Sequence, residues 1–482
     1  VWNEYTNASG SDGPGYGGKG YYTFDEFGWD GGSLANPFQL DLAWHNEKDQ
    51  WVGSVAYSSG SGSDKFLALY DDWYRDGYFL FKTEAYEDGF IIFGEEELLL
   101  DEANDMVGGT EDGSYNSSAT ITMNDDGIAY AGLIGIFEVD ENGTSCDPEA
   151  TNGADCFHTP IFKMSTDYGD TWSGNGGSYY GNYHHVPNNV WDHIIENSFT
   201  DYAAACEGDT SEVINDMWTY YNYDIKVDTD GDPHILVEVL PCGEEYCYYS
   251  NGDGSTTGAG WYHFTIDKDN LSSPGAVNSA TGWNYSYVVD ARETWSFAAP
   301  DGDSYLWGTL AQLAFSRDNS DIVWVVADMA VAGAIDEATA ADNTENGCDV
   351  NGDDNFPEWS EDILVFKSED NGNTWWNPLN ATQTADDTNG AYSPEEQYPH
   401  TYHWGTDDQV YYMFQMPDWD FNEIGDPLGP DHKNRVYAGF AEVTSNTESE
   451  YPGGGGCALL GDSNDDGFLN ILDIVGTVNQ IL

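Results

Sequence analysis

Residues 165–172 read STDYGDTW and residues 368–375 read SEDNGNTW. Both fit one pattern, S-x-D-x-G-x-T-W, formed by Ser165, Asp167, Gly169, Thr171 and Trp172 in one copy and by Ser368, Asp370, Gly372, Thr374 and Trp375 in the other. The pattern describes a tight turn. The aspartate accepts hydrogen bonds from backbone N–H groups of its own turn. The glycine permits the positive φ that the turn needs, and the tryptophan folds back as an apolar plug. Each copy follows a short strand-like run ending in Phe-Lys, Phe162-Lys163 and Phe366-Lys367, and Phe81-Lys82 repeats that pair elsewhere.

Outward from these turns, strand signals dominate. Runs such as HILVEVL, DIVWVVADM, DILVFK and QVYYMFQM are short, β-branched and aromatic, and are bounded by Asp, Asn and Gly. One hairpin type recurs, with acidic turns marked by Glu47, Asp126, Asp230, Asn319 and Asp407, at steps of 79, 104, 89 and 88 residues. A second hairpin follows each, its first strand ending at Phe81, Phe162, Phe264, Phe366 or Phe440. Two hairpins per repeat make a four-stranded antiparallel unit that buries little alone and leaves open edges. Packing several such units around an axis solves both problems, so the expected fold is all-β: a β-propeller of about five to seven four-stranded blades over residues 1–444. Five repeats are countable, and the first 40 residues are expected to complete a blade. A convincing amphipathic helix is expected only at the far end of the chain.

The two octapeptides resemble the Asp-box (BNR repeat) of sialidase-like β-propellers. That resemblance implies structural turns at the blade periphery, away from any catalytic axis. Sialidases clamp a substrate carboxylate with three arginines, because a guanidinium fork matches a carboxylate. This chain has four in all, Arg75, Arg292, Arg317 and Arg435, none in the Arg-Ile-Pro context of that family. True sialidase activity is therefore not expected. A different glycoside hydrolase needs only two carboxylates, a requirement that 87 acidic residues make uninformative. Residues 182–193 and 392–405 mix Glu, His, Tyr and Trp. Trp191 and Trp404 are candidate sugar-stacking platforms there, with Glu395 and Glu396 as candidate acids, against the plainer reading of packed loops.

The composition narrows the partners. The 482 residues carry 87 acidic and 13 basic side chains, a formal net charge of −74. Nucleic acid and anionic membrane surfaces are excluded by repulsion. Disorder is excluded by an aromatic content of 15%, including 18 Trp. A saline medium or bound cations must offset the self-repulsion of the fold. No apolar run is long enough for a membrane span. Of seven Cys, the pairs Cys146/Cys156 and Cys242/Cys247 are spaced to close small loops. No C-x-x-C zinc spacing occurs. An extracellular or cell-surface location is expected, with Val1 a processed end.

Residues 461–482, GDSNDDGFLNILDIVGTVNQIL, follow a Gly-rich linker at 445–460. Asp462, Asn464, Asp466, Phe468, Asn470 and Asp473 fall at positions 1, 3, 5, 7, 9 and 12 of a calcium loop, with Gly467 at position 6. Aspartate at position 12 and the apolar helix after it resemble one repeat of a dockerin type I module. That implies a calcium cofactor and attachment to a protein partner or a neighbouring copy through the helix. A weaker cation candidate is Asp349, Asn351 and Asp353. The turn around Asp228, Asp230 and Asp232 reads as a tight turn only.

Two functions fit these features. One is a secreted, non-catalytic propeller for cell-surface, matrix or filament assembly or adhesion. The other is a glycoside hydrolase or polysaccharide-binding component. The sequence leans away from an enzyme.

Overall fold

In the computed structural model the described residues are 1–5, 18–24, 35–45, 47–59, 64–87, 90–107, 115–140, 143–146, 156–173, 182–203, 211–244, 246–248, 257–290, 293–298, 304–308, 310–330, 344–345, 348–349, 361–383, 396–418 and 433–446. They form a nearly all-β set of sheets whose strands pair antiparallel, save for one parallel pairing of Phe315–Ser316 with Trp404–Gly405. Two compact units emerge. The first comprises 1–192 with 225–235 and 266–283, and the second comprises 193–224, 236–265 and 284–482.

The first unit holds a small sheet of Trp2–Tyr5, Gly18–Tyr22 and Phe38–Gln39. A second sheet is Gln50–Ser58, Lys65–Asp72 and Gly77–Glu87, with Phe90–Phe93 and Glu97–Leu100 both paired to its third strand. A third sheet is Thr120–Met123, Ala129–Gly135, Thr159–Ser165 and His184–His185. The second unit holds a five-stranded sheet built on Ala311–Ser316, Val323–Ala330 and Glu361–Ser368, and a three-stranded sheet of Gln397–Thr401, Gln409–Asp418 and Lys433–Glu442. A further four-stranded sheet runs in chain order through Asp216–Val227, Pro233–Cys242, Gly260–Thr265 and Asn284–Asp290.

The inner strands read as nearly unbroken apolar runs because both of their faces are covered. In Lys65–Asp72, Leu67 and Leu69 enter one core with Leu133, Ile161 and Trp172, while Ala68 and Tyr70 enter another with Phe79 and Phe81. In Val323–Ala330, Val323 and Val325 join the core of Leu313 and Phe366, whereas Trp324 and Val326 join that of Val365, Val410 and Phe414. Alternate side chains of one strand thus serve two cores, the packing of sheets stacked face to face.

Phe81, Phe162, Phe264, Phe366 and Phe440 all lie in the third strand of their sheets. Asp126, Asp230, Asn319 and Asp407 sit between first and second strands. Glu47 does not: its loop leads into the first strand of the second sheet. Ion pairing holds that loop. Lys48 is buried and reaches Asp41 and Glu96 at 2.7 Å each. Arg75 joins the same centre, pairing with Asp72 at 2.6 Å and Glu96 at 2.7 Å. Burial would raise the Glu96 carboxyl, yet hydrogen bonds from Arg75, Lys48 and Tyr70 hold it down at about 2. Bridges join Cys146 to Cys156 and Cys242 to Cys247. No helix among the described residues is long and apolar enough to cross a membrane.

A helix away from the C-terminus corrects the reading of 182–193. Residues Asn188–Ser198 are α-helical, directly after Pro187. Val190, Trp191 and Ile194 are its buried positions, a short apolar stripe at helical spacing.

Candidate functional site

The two S-x-D-x-G-x-T-W turns connect the third strand of a sheet to the chain that follows it. At the first, Asp167 Oδ1 accepts from the Thr171 N–H at 2.8 Å and Oδ2 from the Thr171 hydroxyl at 2.6 Å. The Ser165 hydroxyl donates to Asp167 at 2.8 Å and accepts from the Gly169 N–H at 2.9 Å. At the second, Thr374 N–H and hydroxyl reach Asp370 at 2.8 and 2.7 Å, and the Gly372 N–H reaches the Ser368 hydroxyl at 2.9 Å. Tyr168 and Gly169 have φ of 60° and 81°, and Asn371 and Gly372 have 58° and 77°. Partial burial works to raise Asp167 and Asp370, but the threonine and serine hydrogen bonds outweigh it and leave both carboxyls below their usual range.

The tryptophans that close these turns part company. Trp172 is 7% exposed, packs in the core of Leu67, Leu69 and Leu133, and donates to its own turn at the Gly169 carbonyl, 3.1 Å away. Trp375 is only half-buried and donates instead to the Ser286 hydroxyl at 2.9 Å, which in turn donates to the Gly372 carbonyl at 2.5 Å. Its ring stands edge-on to His263, with centroids 5.5 Å apart.

Trp375 thereby becomes the wall of an open cleft of about 500 Å³ in the second unit. Tyr285 and Tyr287 come from the Asn284–Asp290 strand, and Trp375, Trp376, Asn373 and Asn377 from the turn and the residues after it. Each aromatic is fixed from behind. The buried Lys367 ammonium lies 4.6 Å from the Trp376 ring. His193 Nδ1 lies 2.8 Å from the Tyr285 hydroxyl. Burial raises the Tyr285 phenol, so it keeps its proton and can donate. Tyr287 is 41% exposed. The described residues lining the cleft include no Asp, Glu, Lys, Arg or His. Flat rings with amide and hydroxyl groups between them suit a ligand with both C–H faces and hydroxyls.

The sequence candidates fall elsewhere. Trp191 is fully buried, and its indole N–H is 3.1 Å from the Thr159 hydroxyl. It therefore packs a core and presents no face to a ligand. Trp404 is half-buried, stacked on His403 at 4.2 Å and packed against the core of Leu313 and Phe315. It does not line the cleft. Glu396 is fully buried, accepts from the Ile363 N–H at 3.0 Å and is bonded by the Thr382 hydroxyl, which makes it a support for a strand. His184 and His185 occupy one short strand, and burial together with the neighbouring His184 lowers His185 to about 4. Asp228 and Asp232 close a turn through the Asp232 N–H, 2.8 Å from Asp228 Oδ1. Of the weaker cation candidates, Asn351 and Asp353 lie outside the described residues and only the backbone of Asp349 is described. Asp462, Asn464, Asp466, Phe468, Asn470 and Asp473, with residues 447–460 of the linker and Glu395, also lie outside them. Among the described residues no group of three or more His, Cys, Asp or Glu is placed to hold a metal ion.

Sequence reasoning missed Tyr285, Tyr287 and Trp376. Their only local signal is aromatic content, because the cleft joins segments almost ninety residues apart.

No protein-family model matches the sequence, and no curated protein matches it. Among solved structures, the polysaccharide lyase Uly1 is similar over 82% of this chain at 10% identity and a TM-score of 0.37, and the chain spans 58% of that lyase's length. The α-L-arabinofuranosidase Arb93A from Fusarium graminearum is similar over 76% of this chain and 77% of its own, at 9% identity and a TM-score of 0.32. The α-L-arabinofuranosidase PaAbf62A from Podospora anserina covers 82% of this chain and 92% of its own, at 10% identity and a TM-score of 0.29.

Proposed function

We propose that this chain is an extracellular, polysaccharide-binding propeller of the sialidase-like, Asp-box type. The observation that carries this reading is the cleft in which Tyr285, Tyr287, Trp375 and Trp376 surround neutral polar groups. Aromatic faces take the C–H side of a sugar ring, and the side-chain amides of Asn373 and Asn377 can bond its edge. A net charge of −74 turns away polyuronates and sulfated polymers, so the preferred polymer is uncharged.

The test is affinity electrophoresis in gels holding a neutral β-glucan, a xylan or a polyuronate. The wild-type chain is expected to be retarded by a neutral polymer and to pass freely through the polyuronate. Trp375→Ala and Tyr287→Ala are each expected to weaken retention tenfold or more, about 1.4 kcal/mol. Free migration of the wild type in every gel, or full retention of Trp375→Ala, would overturn the reading.

The acidic loop at 462–473 is proposed to hold calcium, with the apolar segment after it attaching the protein to a partner module or to another copy. Mass photometry with calcium and then with chelator tests this. A strictly monomeric protein in calcium, unchanged by chelation, argues against self-attachment, and calorimetry without calcium uptake removes the ion.

A further inference from the structure

The second sheet of the first unit carries another arrangement of aromatic rings. Trp51, Asp71 and Tyr78 face one another across three strands, in direct register. Directly opposed residues of an antiparallel sheet share a face, so the Asp71 carboxyl lies between two aromatic side chains. Two residues on, the chain turns at Trp73, and the Trp73 ring stacks on Trp51 with centroids 4.7 Å apart and planes 24° from parallel. The Trp73 indole N–H donates to Asp71 Oδ2 at 2.7 Å. Asp71 Oδ1 is buried and meets no hydrogen-bond partner among the described residues. Burial first, then the nearby charge of Glu102, pushes the Asp71 carboxyl up to about 8, so at neutral pH the group is mostly uncharged.

The turn that presents Trp73 is held on every side. Trp73 N–H bonds the Asp49 carbonyl at 3.0 Å. Asp72 Oδ1 accepts from the N–H groups of Tyr74 and Arg75 at 3.1 Å each. The Arg75 guanidinium stacks 3.7 Å over Phe79 while paired to Asp72 and Glu96. Despite this rigidity Trp73 leaves 54% of its surface in water, with Tyr74 beside it 43% exposed. An indole locked by a stack and a hydrogen bond, with its outer face bare, is preorganised to receive a flat apolar face, because the cost of ordering the side chain is already met in the free protein.

We infer that the Trp51–Trp73 stack is a second sugar-stacking site, independent of the cleft, in which Trp73 takes the C–H face of an uncharged pyranose ring and Asp71 positions the indole. This inference rests on the polysaccharide-binding reading above. It makes the chain bivalent: two sites on one molecule can bridge two polymers.

The experiment uses the full chain and the neutral polymer that retards the wild type. Trp375→Ala, which lacks a cleft wall, is expected to keep weak retention, and adding Trp73→Ala is expected to abolish it. Trp73→Tyr in the same background is expected to restore retention, since a phenol ring still stacks. The wild type is expected to precipitate long polymer at a defined ratio, and either single alanine variant to leave it soluble. Complete loss of retention in Trp375→Ala, or no change on adding Trp73→Ala, would overturn the second site while leaving the cleft in place. A wild type that binds no neutral polymer would overturn both.

Discussion

Trp172 and Trp375 close equivalent turns, with the same serine, aspartate, glycine and threonine contacts to within about a tenth of an ångström. Trp172 points its N–H back into its own turn and its ring into a core. Trp375 points its N–H across to Ser286, and its ring becomes a wall that water reaches. The turn therefore sets where a tryptophan stands and leaves its outlook to the neighbouring strand. A serine on the Asn284–Asp290 strand captures the second indole, and the first turn uses its own carbonyl. One local device has become a plug in one place and a binding surface in the other.

Exchanging each tryptophan for alanine should separate those roles most strongly. Trp172→Ala is expected to cost about 3–5 kcal/mol of stability, the range for truncating a large buried aromatic, with polymer affinity unchanged in the folded fraction. Trp375→Ala is expected to cost clearly less stability and to carry the affinity loss. Urea unfolding and affinity electrophoresis on the same preparations read both. Equal stability losses would erase the distinction between plug and wall.

The glycines should sharpen it. Alanine at either position is strained by positive φ, about 1–2 kcal/mol. A β-carbon at Gly169 meets the methyl groups of Leu67, which can swing aside, whereas one at Gly372 overlaps the His263 ring that backs Trp375. Gly372→Ala is therefore expected to lower the urea midpoint more than Gly169→Ala, and alone to weaken sugar binding.

The aspartates should behave alike. Both carboxyls have folded pKa values below their unfolded ones, so each contributes stability that is present above the ordinary aspartate value near 3.9 and is lost as pH falls through the folded value. Asp167→Asn and Asp370→Asn are each expected to cost about 1 kcal/mol at pH 7 and to flatten that acid limb in thermal melts at stepped pH. An effect no larger is expected of Ser286→Ala, which removes one outside hydrogen bond to the second turn at the Gly372 carbonyl and frees the Trp375 indole. About 1 kcal/mol, or roughly fivefold in Kd, should be lost from binding, with the turn's own hydrogen bonds unchanged.

Much of the architecture is legible in the amino-acid sequence. The runs around Val323, Ile235 and Phe366 read as strands because both faces of each are buried, which forces unbroken apolar sequence. The octapeptides read as turns because their contacts span at most four residues. What could not be read depends on distant partners. In the sequence Trp191 reads as a sugar platform and Trp375 as the plug of its turn, and only packing buries the first and bares the second. The helix at Asn188–Ser198 has just Val190, Trp191 and Ile194 on its buried stripe, too few to stand out among asparagines. The Trp51, Asp71 and Tyr78 row exists only once strand register is known, since those residues are not neighbours in the chain.

Lys48, Arg75 and Lys367 are turned inward onto carboxylates and rings, although basic side chains number only 13. Carboxylates such as Asp41 and Asp72 are buried with them, so this pairing leaves the net charge of −74 unbalanced. Dissolved counter-ions become a working part of this protein. Their screening length stretches from ~8 Å at physiological ionic strength to ~30 Å at 0.01 M. Dilution alone should loosen the fold and set the acidic coats of neighbouring molecules further apart.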